Sequence, residues 1–407
     1  MTSFKHLLNE FTSTSLLLQY LLIFGLILLL TFNILMPSGE QQFVYLAQSF
    51  LQGKLYFTQK PGTWADGSFY QNHVYWPTGP FPAILLVPFV LLLGTNMQQG
   101  FLAFLLNIVN FLLLYRLAKK ITQNINTSLW ISFGYMFSTV YLMVGLIPWS
   151  WWYAQILATT LLLLAINEFF FKKRTLLMGI FVACAVATRI SLFFAVIFFL
   201  LFIFLKKDKL YTKIYSCVLL LIPIFAVFFI LFSYNYWRFG NILEFGYSYH
   251  NPFVKTVLAD LKFGAWNPVH IPGNLYYLFL RGPDAVAIPG TKILTFPFIV
   301  PDPWGMSIFI TSPMWLWMLT TPAREKVVKI AAITALAIAI FLVGYFGIGA
   351  RQFGYRYALD FSPFLFIILA HVVKHKMSTL LKIIIISSFI FNLYMFPLTF
   401  SVPLEHN

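Results

Sequence analysis

The sequence predicts an all-α protein that crosses a membrane many times. Of its 407 residues, 60% are hydrophobic and only 10% are charged, whereas roughly a quarter of the residues are charged in a typical soluble domain. Apolar runs recur from Leu16 to Pro397 without a soluble-looking block between them. We therefore expect one membrane domain over residues 1–407.

The positive charges predict which side of the membrane each loop occupies. The net charge is +15, but Lys and Arg occur in short clusters between apolar runs, which argues against nucleic-acid binding. Such clusters mark cytoplasmic loops, and 17 of the 27 Lys and Arg residues share that side if the proline-rich stretch 79–94 does not cross. About eleven transmembrane helices are then predicted, at residues 16–36, 101–117, 128–147, 154–171, 175–188, 190–205, 214–236, 306–320, 327–348, 357–373 and 379–398.

Two long segments, residues 37–100 and 237–305, are placed outside the cytoplasm by this topology. Ordered loops of such length usually carry function. In the first, the run "EQQFVYLAQSFLQG" spaces Phe43, Leu46 and Phe50 at helical intervals, which predicts an amphipathic helix along the membrane surface. The stretch 79–94 is the second predicted interfacial helix, since about 15 residues are few for a span.

Glu40 opens the first of these external loops. It stands just after the first predicted span and just before the amphipathic helix. We expect it in the first turn of that helix, where the helix dipole stabilises a negative charge. A carboxylate between lipid and water is a candidate general base, although an acidic residue at a helix start is equally often only a surface charge.

Several external cations adjoin apolar runs, where an unpaired charge is costly and often marks a substrate path. An anionic ligand such as a phosphate would be their natural partner, because the guanidinium fork matches its oxygens. For two of them a simpler role is also open: snorkelling to headgroups for Arg189, and an ion pair with Asp360 for Arg356. The four cations are Arg189, Arg238, Arg351 and Arg356.

The stretch "YQNHVYWPTGPFP" adds His73 and Tyr75 to the candidate binding residues. Other chemistries lack their motifs: we find no nucleotide-binding G-x-x-x-x-G-K-[ST] loop, no Cys/His zinc pattern and no G-x-S-x-G elbow. The two cysteines, Cys184 and Cys217, lie in or beside apolar runs, so we expect no disulfide. The residues predict neither a cofactor nor a metal site.

Short motifs along nearly the whole chain resemble bacterial GT-C-type membrane glycosyltransferases, in the group related to protein mannosyltransferases. They are the acid after the first span, "YLAQSFLQGKLY", "YWPTGPFPAILLVPF", "ATRISLF", "YNYWRFGNILEFGY" and "FGYRYALDFSPFL". The resemblance implies a GT-C-like bundle that uses polyprenyl-phosphate-linked sugars on the extracytoplasmic side of the cytoplasmic membrane. It implies that Glu40 is the catalytic acid, commonly Asp in the family, and that Arg189 and Arg356 face the donor phosphate. No second acid neighbours Glu40 in the sequence, and the family's divalent metal is not supported by these residues.

The expected function is an inverting transfer of one sugar, a hexose or a pentose, to an external lipid, glycan or protein acceptor. Two alternatives stay open. One is a transporter or flippase of a lipid-linked anion, which usually shows internal repeats that we do not find here. The other is a non-catalytic scaffold of the same fold.

Overall fold

A computed structural model describes residues 12, 14–36, 39–60, 66–251, 259–320, 324–374 and 377–403. The α-helices of this part are, in order, α1 Leu16–Leu30, α2 Gln42–Leu51, α3 Phe81–Leu93, α4 Gln99–Thr122, α5 Ile125–Phe137, α6 Tyr141–Leu146, α7 Ser150–Phe171, α8 Thr175–Thr188, α9 Val196–Leu205, α10 Leu210–Phe239, α11 Ile271–Phe279, α12 Ile308–Thr311, α13 Lys326–Val343, α14 Ser362–Val372 and α15 Thr379–Ser401.

Shorter helical turns connect or extend these helices. A π-turn, Thr31–Leu35, continues α1, and 3₁₀ turns precede α9 and α14. The 3₁₀ segments are Gly94–Asn96, Ile190–Ala195, Tyr247–Tyr249, Ala259–Phe263, Pro268–His270, Pro313–Leu319 and Arg356–Asp360.

Six helices of the described residues are long and apolar enough to cross a membrane. They are α1 with its π-turn, α4, α7, α10, α13 and α15. Four shorter apolar segments fall on further predicted spans or on the interfacial stretch. The protein is thus a mostly helical, multi-pass membrane protein by composition, whereas the predicted number of about eleven crossings is not confirmed.

Some predicted spans are broken into two pieces. The span predicted at 128–147 divides into α5 and α6, and the backbone between them is satisfied by hydroxyl groups. The Ser312 Oγ accepts from the Val140 N–H at 3.2 Å, and the Thr139 Oγ1 accepts from the Tyr141 N–H at 3.1 Å. Backbone groups away from water need such partners, so the break is stable inside the bundle.

The core of the bundle is a series of closely packed helices. Helix α8 packs against both α7 and α10, and α7 also packs against α4. Gly179 lets α8 approach α10, because a Cβ at that position would lie 2.4 Å from the Leu220 carbonyl oxygen. Gly79 similarly lets the first loop approach the end of α8, because a Cβ at Gly79 would lie 2.1 Å from the Ala187 carbonyl oxygen.

The two long loops also contain β-structure, which the all-α prediction did not include. In the first, β1 Ser68–Tyr70 pairs antiparallel with β2 His73–Tyr75, and in the second, β3 Asp284–Ala287 pairs with β4 Leu294–Val300. β1, β2 and β4 are rich in aromatic and β-branched residues, which favour strands. The fold is therefore a helical bundle with two hairpins at its loops.

The first loop packs onto the bundle rather than resting on its surface. Helix α2 forms as predicted, but buried residues include Gln42, Val44 and Ser49 in addition to the predicted apolar face. It packs closely against α3, which spans the predicted interfacial stretch. The segment that carries Glu40 is consequently fixed to the helices around it.

Candidate active site

Glu40 is held by its backbone between two helix starts. Its carbonyl oxygen accepts hydrogen bonds from the Gln99 Nε2 at 2.8 Å and from the Ser150 Oγ at 3.2 Å. Gln99 opens α4 and Ser150 opens α7. The carboxylate itself contacts the Gln42 amide, so both ends of this residue are positioned by fixed neighbours.

Glu40 does not lie in the first turn of α2, contrary to our expectation. Helix α2 begins at Gln42 and has no acid in its first turn, so Glu40 lies outside it. Burial raises the pKa of Glu40 above its ordinary value of 4.5, the Gln42 hydrogen bond opposes this, and the negative charge of Asp66 adds to the rise. A carboxylate with a raised pKa is a stronger base near neutral pH.

Asp66 is the second acid of the site, which the sequence analysis did not predict. It comes 26 residues after Glu40, and its Oδ2 accepts a hydrogen bond from the Trp151 indole at 2.9 Å. Burial raises the pKa of Asp66, while the Trp151 bond and the positive charge of Arg356 lower it. Its side chain is partly exposed although protein surrounds it densely.

Arg356 lies near Asp66, in the 3₁₀ turn that leads into α14. Its Nη1 donates to the Gln155 Oε1 at 3.1 Å, and the Gln155 amide donates back to the Arg356 carbonyl at 3.2 Å. The Arg356 Nε is buried and has no hydrogen-bond partner among the described residues. This guanidinium therefore retains a buried donor that none of the described residues uses.

Arg189 forms the ion pair that we had considered for Arg356. Its Nε donates to the two oxygens of Asp360 at 2.7 and 3.1 Å, and the Ser191 hydroxyl donates to the same carboxylate at 2.5 Å. The Asp360 side chain is only 2% exposed and the Arg189 side chain 14%. Arg189 thus compensates a buried negative charge while keeping part of its surface accessible.

Arg189 lines a cavity of about 290 Å³ whose wall includes eight aromatic residues. Tyr357 joins the two cations, since its ring centroid lies 5.3 Å from the Arg189 guanidinium carbon and 4.8 Å from that of Arg356. Trp151 connects the cavity to Asp66 and so to Glu40. The aromatic residues of the wall are Trp151, Tyr234, Phe245, Tyr247, Trp266, Phe341, Tyr345 and Tyr357.

The other predicted binding residues do not line this cavity. Arg238 is buried and donates to the Trp76 carbonyl and to the Asn235 side chain, both at 2.7 Å. Tyr75 is buried against the Phe239 ring. His73 is exposed and stacks on Tyr56, with ring centroids 3.8 Å apart.

Arg351, the remaining predicted cation, is partly exposed in the connection between α13 and the 3₁₀ turn at Arg356. Its backbone is in the left-handed region, with a φ of 50°. For metal binding, the described residues contain no group of three or more His, Cys, Asp and Glu side chains that could hold an ion. The two acids that the structure brings together are Glu40 and Asp66.

Comparisons with known proteins give only a distant similarity of fold. No family model and no curated protein matches the chain. The Archaeoglobus fulgidus oligosaccharyltransferase in the apo form matches with a TM-score of 0.44 and 12% identity, over 94% of this chain and 55% of that one. The archaeal oligosaccharyltransferase AglB from Archaeoglobus fulgidus, in complex with an inhibitory peptide and a dolichol-phosphate, also matches. Its TM-score is 0.46 and its identity 12%, over 95% of this chain and 56% of that one. The chain spans about half the length of these structures, and the similarity is too weak to assign a function.

Proposed function

We propose that this chain is a membrane glycosyltransferase that moves one sugar, a hexose or a pentose, from a polyprenyl-phosphate donor to an extracytoplasmic lipid, glycan or protein acceptor. The observation that carries the proposal is a cavity lined by Arg189, Trp151 and Tyr357. Trp151 donates to Asp66, whose charge acts on Glu40, and the Tyr357 ring contacts Arg356. Glu40 and Asp66 supply the acids, and Arg189 and Arg356 supply the cations.

In this proposal Glu40 is the general base. It takes the proton of the acceptor hydroxyl, the oxygen attacks the anomeric carbon from the face opposite the phosphate, and the configuration inverts. The bond between that carbon and the phosphate oxygen breaks, and its electron pair leaves with the polyprenyl phosphate. Arg189 and Arg356 stabilise the departing charge, because cations placed where charge develops lower the barrier. A phosphate-linked sugar already carries a good leaving group, so the proposal includes no cofactor.

The cavity suits a donor that remains in the bilayer. Its walls include Leu231 and Tyr234 of α10 and Phe341 of α13, and α9 packs against both of these helices. An isoprenoid chain in the membrane would reach the cavity between α10 and α13, while the sugar stacks on the aromatic wall. The assignment of Arg351, Arg238, His73 and Tyr75 to substrate binding stays a prediction.

A photoactivatable polyprenyl-phosphate sugar tests this donor site. We expect it to crosslink to α10, α13 or the segment from Tyr345 to Tyr357, and unlabelled donor should suppress the crosslink. Crosslinks spread over the outer surface of the helices and insensitive to unlabelled donor would contradict the proposal. A flippase would instead move intact donor across vesicle membranes without breaking its sugar–phosphate bond.

The pH dependence of transfer should report the coupling between the two acids. A carboxylate base works only when ionised, so the rate falls as the pH drops through its pKa. Since the pKa of Glu40 is raised above 4.5, the acidic limb should lie above that value. Asp66→Asn removes one cause of the rise and should move the limb to lower pH.

The profile of kcat/KM against pH measures this shift. Asp284→Asn is the control, because Asp284 pairs with Arg281 and is not among the groups that shift the pKa of Glu40. An acidic limb that stays in place in Asp66→Asn would contradict the electrostatic link between Asp66 and Glu40.

The proposal also places the active site outside the cytoplasm. In a background with Cys184 and Cys217 replaced by Ser, a cysteine at Gln71 should react with a membrane-impermeant thiol reagent in intact cells. A cysteine at Lys207 should react only after lysis. Both positions are exposed, so accessibility does not limit the reaction. Labelling at Lys207 in intact cells, with labelling at Gln71 only after lysis, would contradict this placement of the active site.

A further inference from the structure

The β3–β4 hairpin of the second loop presents an apolar ridge that nothing in the proposed reaction uses. Alternate side chains of β4 point outward, with exposed fractions of 51% for Leu294, 75% for Phe296 and 51% for Phe298. The turn adds Ile293 at 63% and Ile288 at 46%. Five large apolar side chains exposed together form a patch of the kind that marks contact with another surface.

The hairpin is attached to the side of a membrane-spanning helix. The Tyr394 hydroxyl contacts the carbonyl oxygen of Pro297 in the middle of β4. Tyr394 belongs to α15, seven residues before that helix ends at Ser401. At a rise of 1.5 Å per residue, this contact lies about 10 Å below the helix end. The ridge is thus beside the span, where lipid surrounds the protein.

The same end of α15 lies beside the candidate active site. Phe400 packs against Trp149, with ring centroids 5.6 Å apart. The residue after Trp149 is Ser150, whose hydroxyl donates to the Glu40 carbonyl. The hairpin therefore faces the leaflet on the side of Glu40, which the proposed topology makes the outer leaflet.

The base of the hairpin is charged and its ridge is not. Arg281 pairs with Asp302 at 2.7 Å and with Asp284 at 2.5 Å. Asp284 is the first residue of β3, and Asp302 follows the end of β4. Lys292 in the turn is exposed and can hold its ammonium at the headgroups. This division of polar and apolar groups matches the boundary between lipid and water.

We infer that the ridge of Leu294, Phe296 and Phe298 inserts into the lipid leaflet on the side of Glu40. The ridge contacts the acyl chains just below the headgroups. A two-stranded hairpin leaves backbone groups unpaired at its edges, so the side chains enter the hydrocarbon while the strands stay near the polar layer. The insertion anchors the second loop to the bilayer next to the active site and does not depend on the proposed reaction.

Fluorescence in vesicles tests the insertion. In the Cys184→Ser, Cys217→Ser background, Phe296→Cys is labelled with an environment-sensitive fluorophore and reconstituted in phosphatidylcholine and phosphatidylglycerol. We expect blue-shifted emission that falls when lipids with a nitroxide high on the acyl chain are included. Phe298→Cys repeats the test at a second position of the ridge. The control, Gln71→Cys in the turn of the β1–β2 hairpin, should emit as in water and lose no intensity.

Unchanged intensity at both ridge positions with the nitroxide lipids would overturn the inference. This result would arise if the ridge faces water, a second copy of the chain or another protein. Thermal unfolding of each labelled variant, with a midpoint equal to that of the parent, confirms that the loss of one aromatic side chain has not displaced the hairpin.

Discussion

Glu40→Gln is expected to lower sugar transfer by ~10²–10⁴-fold, the usual contribution of a general base. The amide keeps the size of the side chain and can still bond with Gln42, so folding and donor binding should persist. Glu40→Asp should retain part of the activity, because the chemistry is the same and only the reach is shorter. Initial rates with a saturating labelled donor measure both effects.

Glu244→Gln is the matched control for Glu40. Glu244 lies in the second long loop, and its Oε1 accepts the Gly246 N–H at 2.6 Å, a role that a Gln oxygen also performs. Its replacement should leave the rate unchanged. If Glu40 were only a charge near a helix start, both Glu40 variants would be nearly as active as the parent, and a Glu40→Gln protein with the parent rate would remove it from the mechanism.

Arg189→Ala is expected to destabilise the fold as well as to weaken donor use. The substitution leaves the Asp360 carboxylate, 2% exposed, without its cation. Breaking a buried ion pair by removing one partner typically costs about 3–5 kcal/mol. We expect a clear fall in the thermal unfolding midpoint in detergent, together with a higher KM for the donor.

The double variant Arg189→Ala, Asp360→Ala separates the two effects. Removal of both charges should restore most of the stability, because no uncompensated charge remains. Donor use should stay weak, because the cation at the cavity is still absent. Wild-type stability in the single variant would mean that Asp360 has another partner, and wild-type donor affinity in the double variant would exclude Arg189 from the donor site.

Helical periodicity and apolar runs predicted much of the fold from the sequence. Helix α2 and the apolar helix at the stretch 79–94 were predicted close to their observed bounds, because hydrophobic spacing decides them locally. The break between α5 and α6 was not predicted, since it depends on the Ser312 hydroxyl, which comes from a distant part of the chain. Residues 252–258, within the second predicted loop, lie outside the described residues.

The candidate site was predicted less completely because its members are far apart in sequence. Asp66 was missed, since no local pattern joins it to Glu40 and only the scarcity of acids, 12 in 407 residues, could have drawn attention to it. The partner of Arg189 is Asp360, 171 residues away, whereas helical spacing had suggested Arg356. Arg238 adjoins an apolar run like Arg189, yet its bond to the Trp76 carbonyl requires the tertiary fold.

Release of a labelled sugar from its polyprenyl-phosphate donor is the most direct measurement of glycosyl transfer by this protein. The purified protein, reconstituted with an acceptor extract, is incubated with a panel of polyprenyl-phosphate sugars that carry a labelled sugar. We predict that the parent protein releases the label from at least one donor, with an equal amount of polyprenyl phosphate formed, and that Glu40→Gln does not. Donors that all stay intact with the parent protein, or a release that is equal in Glu40→Gln, would contradict the account.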